Sequence, residues 1–144
     1  MGVITNKFKK IKEEELRIRK EVKEKTMGYI LDYLQGVTNH PTAEEVYNKV
    51  RKNLPRISRG TVYRILNNLK KNGDIQEIST KDITFFDGDT SDHSHFICQG
   101  CGAIFDVFDE CSKCEIIRNK RIKVGKINSY RIYFYGICKN CKRK

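Results

Sequence analysis

Ser58-Arg59-Gly60-Thr61-Val62-Tyr63-Arg64-Ile65-Leu66-Asn67-Asn68-Leu69-Lys70-Lys71 reads as a helix with two faces. Val62, Ile65, Leu66 and Leu69 recur at helical spacing and form an apolar stripe. Ser58 is placed to cap the first turn with its hydroxyl, and Gly73 marks the end. The other face carries Arg59, Thr61, Tyr63, Arg64, Asn67 and Lys70. Such side chains suit phosphates and base edges, and they cluster early in the helix, where a recognition helix meets the major groove. A helical bundle with a polar outer face is the plainer reading of these residues taken alone.

The flanking sequence favours the first reading. Upstream, Thr42-Ala43-Glu44-Glu45 has the spacing of a capping box. Ala43, Val46, Tyr47, Val50 and Leu54 give that helix a buried face, and Pro55 ends it. Two helices joined across Pro55-Arg56-Ile57 make a helix-turn-helix. Downstream, Ile75 to Ser79 and Ile83 to Phe86 alternate around Thr80-Lys81-Asp82 as a hairpin, the wing of a winged helix. Further upstream, Phe8 to Lys25 is expected to be a helix with a narrow stripe of Ile11, Ile18 and Val22. Met27, Ile30, Leu31 and Leu34 continue helical spacing to Gly36.

Charge agrees with this layout. The net charge of +11 is uneven, with 18 Lys/Arg against 10 Asp/Glu in residues 1–81 and 11 against 8 in residues 82–144. A basic half beside an acidic, cysteine-rich patch suits a polyanion-binding module joined to a metal-binding one. A solvated lysine-rich surface would account for the charge by itself. No apolar run reaches the length of a membrane span, and the polar, basic N-terminus has no signal-peptide core, so a cytoplasmic protein is expected.

The second half holds the metal-ligand chemistry. All six cysteines fall in Cys-x-x-Cys pairs, a usage that in a reducing compartment favours metal ligation over disulfides. Cys98/Cys101 and Cys138/Cys141 are each a zinc knuckle, and two knuckles complete a closed tetrahedral site of structural type. The third pair, Cys111/Cys114, could by spacing join Cys98/Cys101 instead, leaving Cys138/Cys141 idle. It could also bind a separate ion, act as a redox switch, or be incidental.

His93 and His95 straddle Ser94, so on a strand they point the same way. Asp87 ends the wing hairpin, and Asp106 lies on the strand expected after the first knuckle. A lone histidine is most often a surface or satisfied core residue. Here two of three sit beside carboxylates, a donor set suited to an exchangeable divalent ion such as iron or manganese. His40 stands at a helix start, where capping or a turn is the plain reading, and spacing gives it no metal role.

Together these motifs resemble the ferric uptake regulator family of metal-dependent repressors, closest to its peroxide-sensing members. The matching segments are His40 to Tyr47, Ser58 to Leu66, Phe86-Asp87, His93-x-His95-Phe96-x-Cys98-x-x-Cys101-Gly102 and Tyr135-Gly136-x-Cys138-x-x-Cys141. The resemblance implies an α+β protein: a winged helix-turn-helix DNA-binding domain at residues 1–87, a hinge at 88–92, and a metal-binding α/β dimerisation domain at 93–144. It assigns structural zinc to Cys98, Cys101, Cys138 and Cys141, and regulatory iron or manganese to His40, Asp87, His93, His95 and Asp106. It places His40 and Asp87 on the DNA-binding side. It leaves Cys111 and Cys114 as auxiliary thiols.

By the same resemblance, Ser58, Arg59, Thr61, Tyr63, Arg64 and Asn67 meet a double-stranded DNA operator, and the working unit is a homodimer. Asp at position 106, where iron-uptake regulators usually carry Glu, implies a repressor that senses hydrogen peroxide by iron-catalysed oxidation of a regulatory-site histidine. The alternative within the family is an iron- or manganese-responsive repressor of metal uptake. A hydrolytic zinc enzyme is the competitor from another class, but with all five residues used as ligands no general base remains. Glu24-Lys25-Thr26-Met27 stands where the family usually has Thr-Pro-x-Arg.

Overall fold

The caps of the second and third helices, and the core that the first three share, follow from local sequence signals. In the computed structural model, which describes residues 2–108, 119 and 121–143, α1 spans Gly2–Gln35, α2 Ala43–Val50 and α3 Arg59–Asn72. Thr42 Oγ1 accepts from the Glu45 N–H at 3.3 Å, and the Glu45 carboxylate accepts from the Thr42 N–H at 2.7 Å, so both halves of the capping box form. Ser58 Oγ accepts from the Thr61 N–H at 3.1 Å. Gly73, at φ 79°, closes α3 in the left-handed conformation, and the Asp74 N–H returns to Leu69 O at 2.9 Å.

Ile30 and Leu34 of α1, Val46 and Val50 of α2, and Val62, Ile65, Leu66 and Leu69 of α3 meet in one buried core. β1 (Gln76–Ser79) and β2 (Thr84–Asp87) pair antiparallel, with Gln76 opposite Asp87 and Ser79 opposite Thr84. A bridge between Thr42 and Phe85 ties β2 to the start of α2. Ile75 and Phe86 turn into the helical core from this hairpin. Helix-turn-helix and wing are both present.

Two details differ from the sequence reading. α2 stops at Val50 rather than running to Pro55, because its end tightens into three-residue hydrogen bonds, Lys52 N–H to Lys49 O at 3.3 Å and Asn53 N–H to Val50 O at 3.1 Å; Leu54 is half-buried in the turn that follows. α1 is one continuous helix, and its first part is uncovered: every residue from 6 to 25 is exposed, including Ile11, Ile18 and Val22.

The second unit is a small sheet of order β4-β3-β7, from β3 (Ser94–Cys98), β4 (Ile104–Val107) and β7 (Tyr133–Gly136). β3 runs antiparallel to β4, with His95 opposite Asp106, and parallel to β7, with Cys98 opposite Gly136. β5 (Arg121–Ile122) and β6 (Gly125–Lys126) form a short hairpin, and α4 (Lys139–Lys142) follows Cys138. By contacts, the chain divides into Met1–Val37 with Pro41–Thr90, and Thr38–His40 with Ser91–Lys144. His40 therefore groups with the sheet unit, whereas the resemblance put it on the DNA-binding side. Cys111 and Cys114 lie outside the described residues. Among the described residues, no helix is long and apolar enough to cross a membrane.

Candidate metal sites and nucleic-acid interface

β3 delivers Cys98 at its end, the following turn delivers Cys101, and the start of α4 delivers Cys138 and Cys141. The four sulfurs all lie within 4.8 Å of one another. Cys98 Sγ is 3.9 Å from Cys141 Sγ, and Cys101 Sγ is 3.8 Å from Cys138 Sγ. A zinc–sulfur bond of about 2.3 Å gives a tetrahedron edge of about 3.8 Å, so the spacing fits that ion. Gly100 leaves room here: a Cβ at that position would stand 3.2 Å from Cys141 Sγ, so the sulfur would have to give by a few tenths of an ångström.

The backbone N–H groups of Cys138 and Cys101, with that of Gly100, stabilise negative charge on Cys98 and pull its thiol down to about 6. The thiols of Cys138 and Cys101 beside Cys141 push it up to about 12. Crowded sulfurs cannot all ionise unaided. A divalent cation at their centre removes that conflict, and this is the chemistry of a closed structural site.

The second cluster is built on one carboxylate. His40 Nε2 lies 2.8 Å, His93 Nε2 3.3 Å and His95 Nε2 3.5 Å from the same Asp106 Oδ1. His93 Nε2 and His95 Nε2 are 3.0 Å apart, and the His93 Nδ1 side faces the Ser91 carbonyl at 2.9 Å. That carbonyl fixes which nitrogen of His93 donates and leaves Nε2 as an acceptor aimed at the cluster. His40 and His95 are buried. His40 also has φ 49°, a conformation that costs a non-glycine residue energy and that persists where the surroundings hold it. Three imidazoles and a carboxylate form a harder, more exchangeable donor set than the four sulfurs.

The remaining expected ligand, Asp87, closes β2 in the first unit. It is buried, and its Oδ1 accepts from the Asp89 N–H at 2.8 Å. The sequence reading missed Ser91 as the residue that orients His93; backbone carbonyls carry no residue-type signal.

Of the expected DNA-facing residues on α3, Arg59, Tyr63, Arg64 and Asn67 are exposed, as is the cap residue Ser58. Thr61 is half-buried; its hydroxyl pairs with Ser58 Oγ at 2.9 Å and accepts from Arg64 Nη2 at 3.3 Å. Arg59 is forked onto Glu44, with Nε 3.0 Å and Nη2 2.8 Å from the carboxylate, and lies 4.5 Å from the centre of the Tyr47 ring. Its hydrogen bond holds the Glu44 carboxyl below the usual range. Lys70, expected to be exposed, is half-buried and paired with Glu77 of the wing at 2.6 Å.

A winged helix in one unit, with a thiolate cluster and a histidine–carboxylate cluster in the other, defines a metal-binding winged-helix protein. The ferric uptake regulator family model matches residues 22–135. The chain belongs to the ferric uptake regulator family. It is 35% identical over 117 residues to the peroxide operon regulator of Bacillus subtilis, covering 80% of each chain. It is 32% identical to the peroxide-responsive repressor PerR of Staphylococcus epidermidis, covering 80% of this chain and 77% of the relative. The crystal structure of the Campylobacter jejuni peroxide stress regulator superposes with a TM-score of 0.76 at 28% identity, covering 89% of this chain and 97% of the other. The Helicobacter pylori ferric uptake regulator, whose structure is described as having three functional metal-binding sites, gives 0.71 at 26%, covering 89% and 91%.

Proposed function

We propose that this chain is a metal-dependent, DNA-binding transcriptional repressor that senses hydrogen peroxide through a regulatory metal and is held together by structural zinc. It acts as a homodimer on a double-stranded operator. The observation that carries the reading is the convergence of three histidine Nε2 atoms on one Asp106 oxygen. The family membership and the peroxide regulators among its relatives support it.

In this reading Cys98, Cys101, Cys138 and Cys141 hold zinc, and His40, His93, His95 and Asp106 are regulatory ligands. Asp87 is the further ligand, contributed from the wing. Ferrous iron held there would supply a reductant for peroxide beside the imidazoles, whereas manganese would supply the same charge without that reactivity. Asp106 neutralises part of the ion's charge, and the Ser91 carbonyl keeps His93 in the ligating tautomer. Peroxide would give one oxygen atom to a ring carbon of His40 or His93 as its O–O bond breaks, and its other oxygen would leave as water; the oxidised ring would be a weaker donor, and the protein would leave DNA. Tyr63, Arg64 and Asn67 are the proposed base and phosphate contacts, with Ser58 and Thr61 shaping the helix start.

Fluorescence anisotropy on operator DNA, with zinc retained, tests this directly. Adding iron or manganese should tighten binding, peroxide should release only the iron form, and His93→Ala should abolish the metal response while keeping zinc. Equal operator binding by wild type with and without added metal refutes the proposal.

A further inference from the structure

The exposed part of α1 has no role in either cluster, yet its sequence is ordered. Phe8, Ile11, Ile18 and Val22 stand at spacings of three, seven and four and share one face, and they are between 46% (Ile11) and 62% (Phe8) exposed. These are alternate a and d positions of a heptad: Phe8, Glu15 and Val22 at a, Ile11, Ile18 and Lys25 at d. Leu16 lies off this seam. An isolated helical stretch of this length is marginal in water unless its apolar stripe is covered.

The flanks say what covers it. The g positions at the centre are Glu14 and Glu21, and the e positions are Lys12 and Arg19. In a parallel pair, g of one helix faces the following e of the other, which sets Glu14 against Arg19 of a second chain. In an antiparallel pair, g faces g and e faces e, which would set Glu against Glu and Lys or Arg against its own kind. Among the described residues, Glu14 and Glu21 bridge to Arg17 and Lys25 of their own exposed helix surface, at 2.6 and 3.4 Å, so they are available to exchange partners at little cost.

We infer that residues 8–22 of α1 form a self-association surface that pairs in parallel with α1 of a second copy of this chain. Phe8, Ile11, Ile18 and Val22 make the seam, and acidic g and basic e positions select the parallel orientation. Lys25 bounds the seam at one end, and Lys7 opposite Lys12 loosens the other. Glu15 is the weak point, because it stacks a carboxylate against its own copy inside the seam. The surface shares no residue with the metal clusters and does not depend on the repressor reading.

The experiment uses the full chain. p-Benzoylphenylalanine is placed at Phe8, the protein is mixed with uniformly nitrogen-15-labelled chain, and photo-cross-linked peptides are sequenced by mass spectrometry. Inter-chain links from position 8 to residues 7–12 are expected. Links to residues near 25 would mean antiparallel pairing and overturn the proposal, as would inter-chain links only outside α1 or links only to added DNA. Sedimentation velocity supplies the second reading. Glu15→Leu should tighten self-association by at least about ten-fold, since a buried leucine replaces a facing carboxylate. Ile18→Asp should weaken it by a similar factor. Both residues are outside the core, so the fold survives either change. Unchanged sedimentation of both variants overturns the proposal.

Discussion

Gly88→Ala is the substitution for which the structure fixes both sign and size. A Cβ on Gly88 would stand 2.4 Å from the Leu34 carbonyl carbon and 2.5 Å from Leu34 O and Gln35 N. Ordinary carbon contacts begin about 1 Å further out. The obstacle is helix backbone, which cannot rotate away as a side chain could. The segment after β2 must therefore move off α1, or the end of α1 must yield. Overpacking of this kind costs about 1–3 kcal/mol, and the rigid obstacle argues for the upper half.

For a unit of this size, about 2 kcal/mol lowers Tm by roughly 8–16 °C. Because Asp87 immediately precedes Gly88, its buried carboxylate should shift too, and on the proposed role of Asp87 as a ligand regulatory-metal affinity should fall while zinc content holds. Gly28→Ala is the matched control. It lies inside α1 with nothing within 4 Å of an added Cβ, so relief of glycine's entropy should raise stability by about 0.5–1 kcal/mol. Calorimetry or thermal circular dichroism on both variants checks the pair. A Gly88→Ala protein melting within 2 °C of wild type, with metal affinity intact, would refute the packing argument.

Two further outcomes concern the clusters and the interface. Cys98→Ser should release zinc and unfold the sheet unit, as read by metal analysis and far-ultraviolet circular dichroism, whereas Cys111→Ser should retain it. Arg64→Ala should weaken operator binding and flatten the dependence of log affinity on log salt by about one unit, if its guanidinium neutralises one phosphate; an unchanged slope removes Arg64 from that role.

Much of this fold can be read locally. Capping at Thr42 and Ser58, the stop at Gly73 and the wing hairpin rest on neighbours three or four residues apart, and the structure forms each one. The knuckles are equally local, since Cys-x-x-Cys spacing announces a ligand pair before any tertiary contact exists. His40 is different. Its partner Asp106 is 66 residues away, and the resemblance alone nominated it. The Glu44–Arg59 and Lys70–Glu77 pairs were equally invisible, because a charged residue on a helix face looks the same in sequence whether it meets solvent, DNA or an ion partner. The stripe of Ile11, Ile18 and Val22 shows the converse: periodicity marks an apolar face but does not say that the same chain covers it.

The most direct test of the account is peptide mass spectrometry of the iron-loaded protein after a brief, mild peroxide exposure, with the manganese-loaded protein as reference. The account predicts a gain of one oxygen on His40 or His93 in the iron form alone, in step with loss of operator binding. Oxidation confined to Cys111 and Cys114, with both histidines unmodified and DNA released, would contradict it.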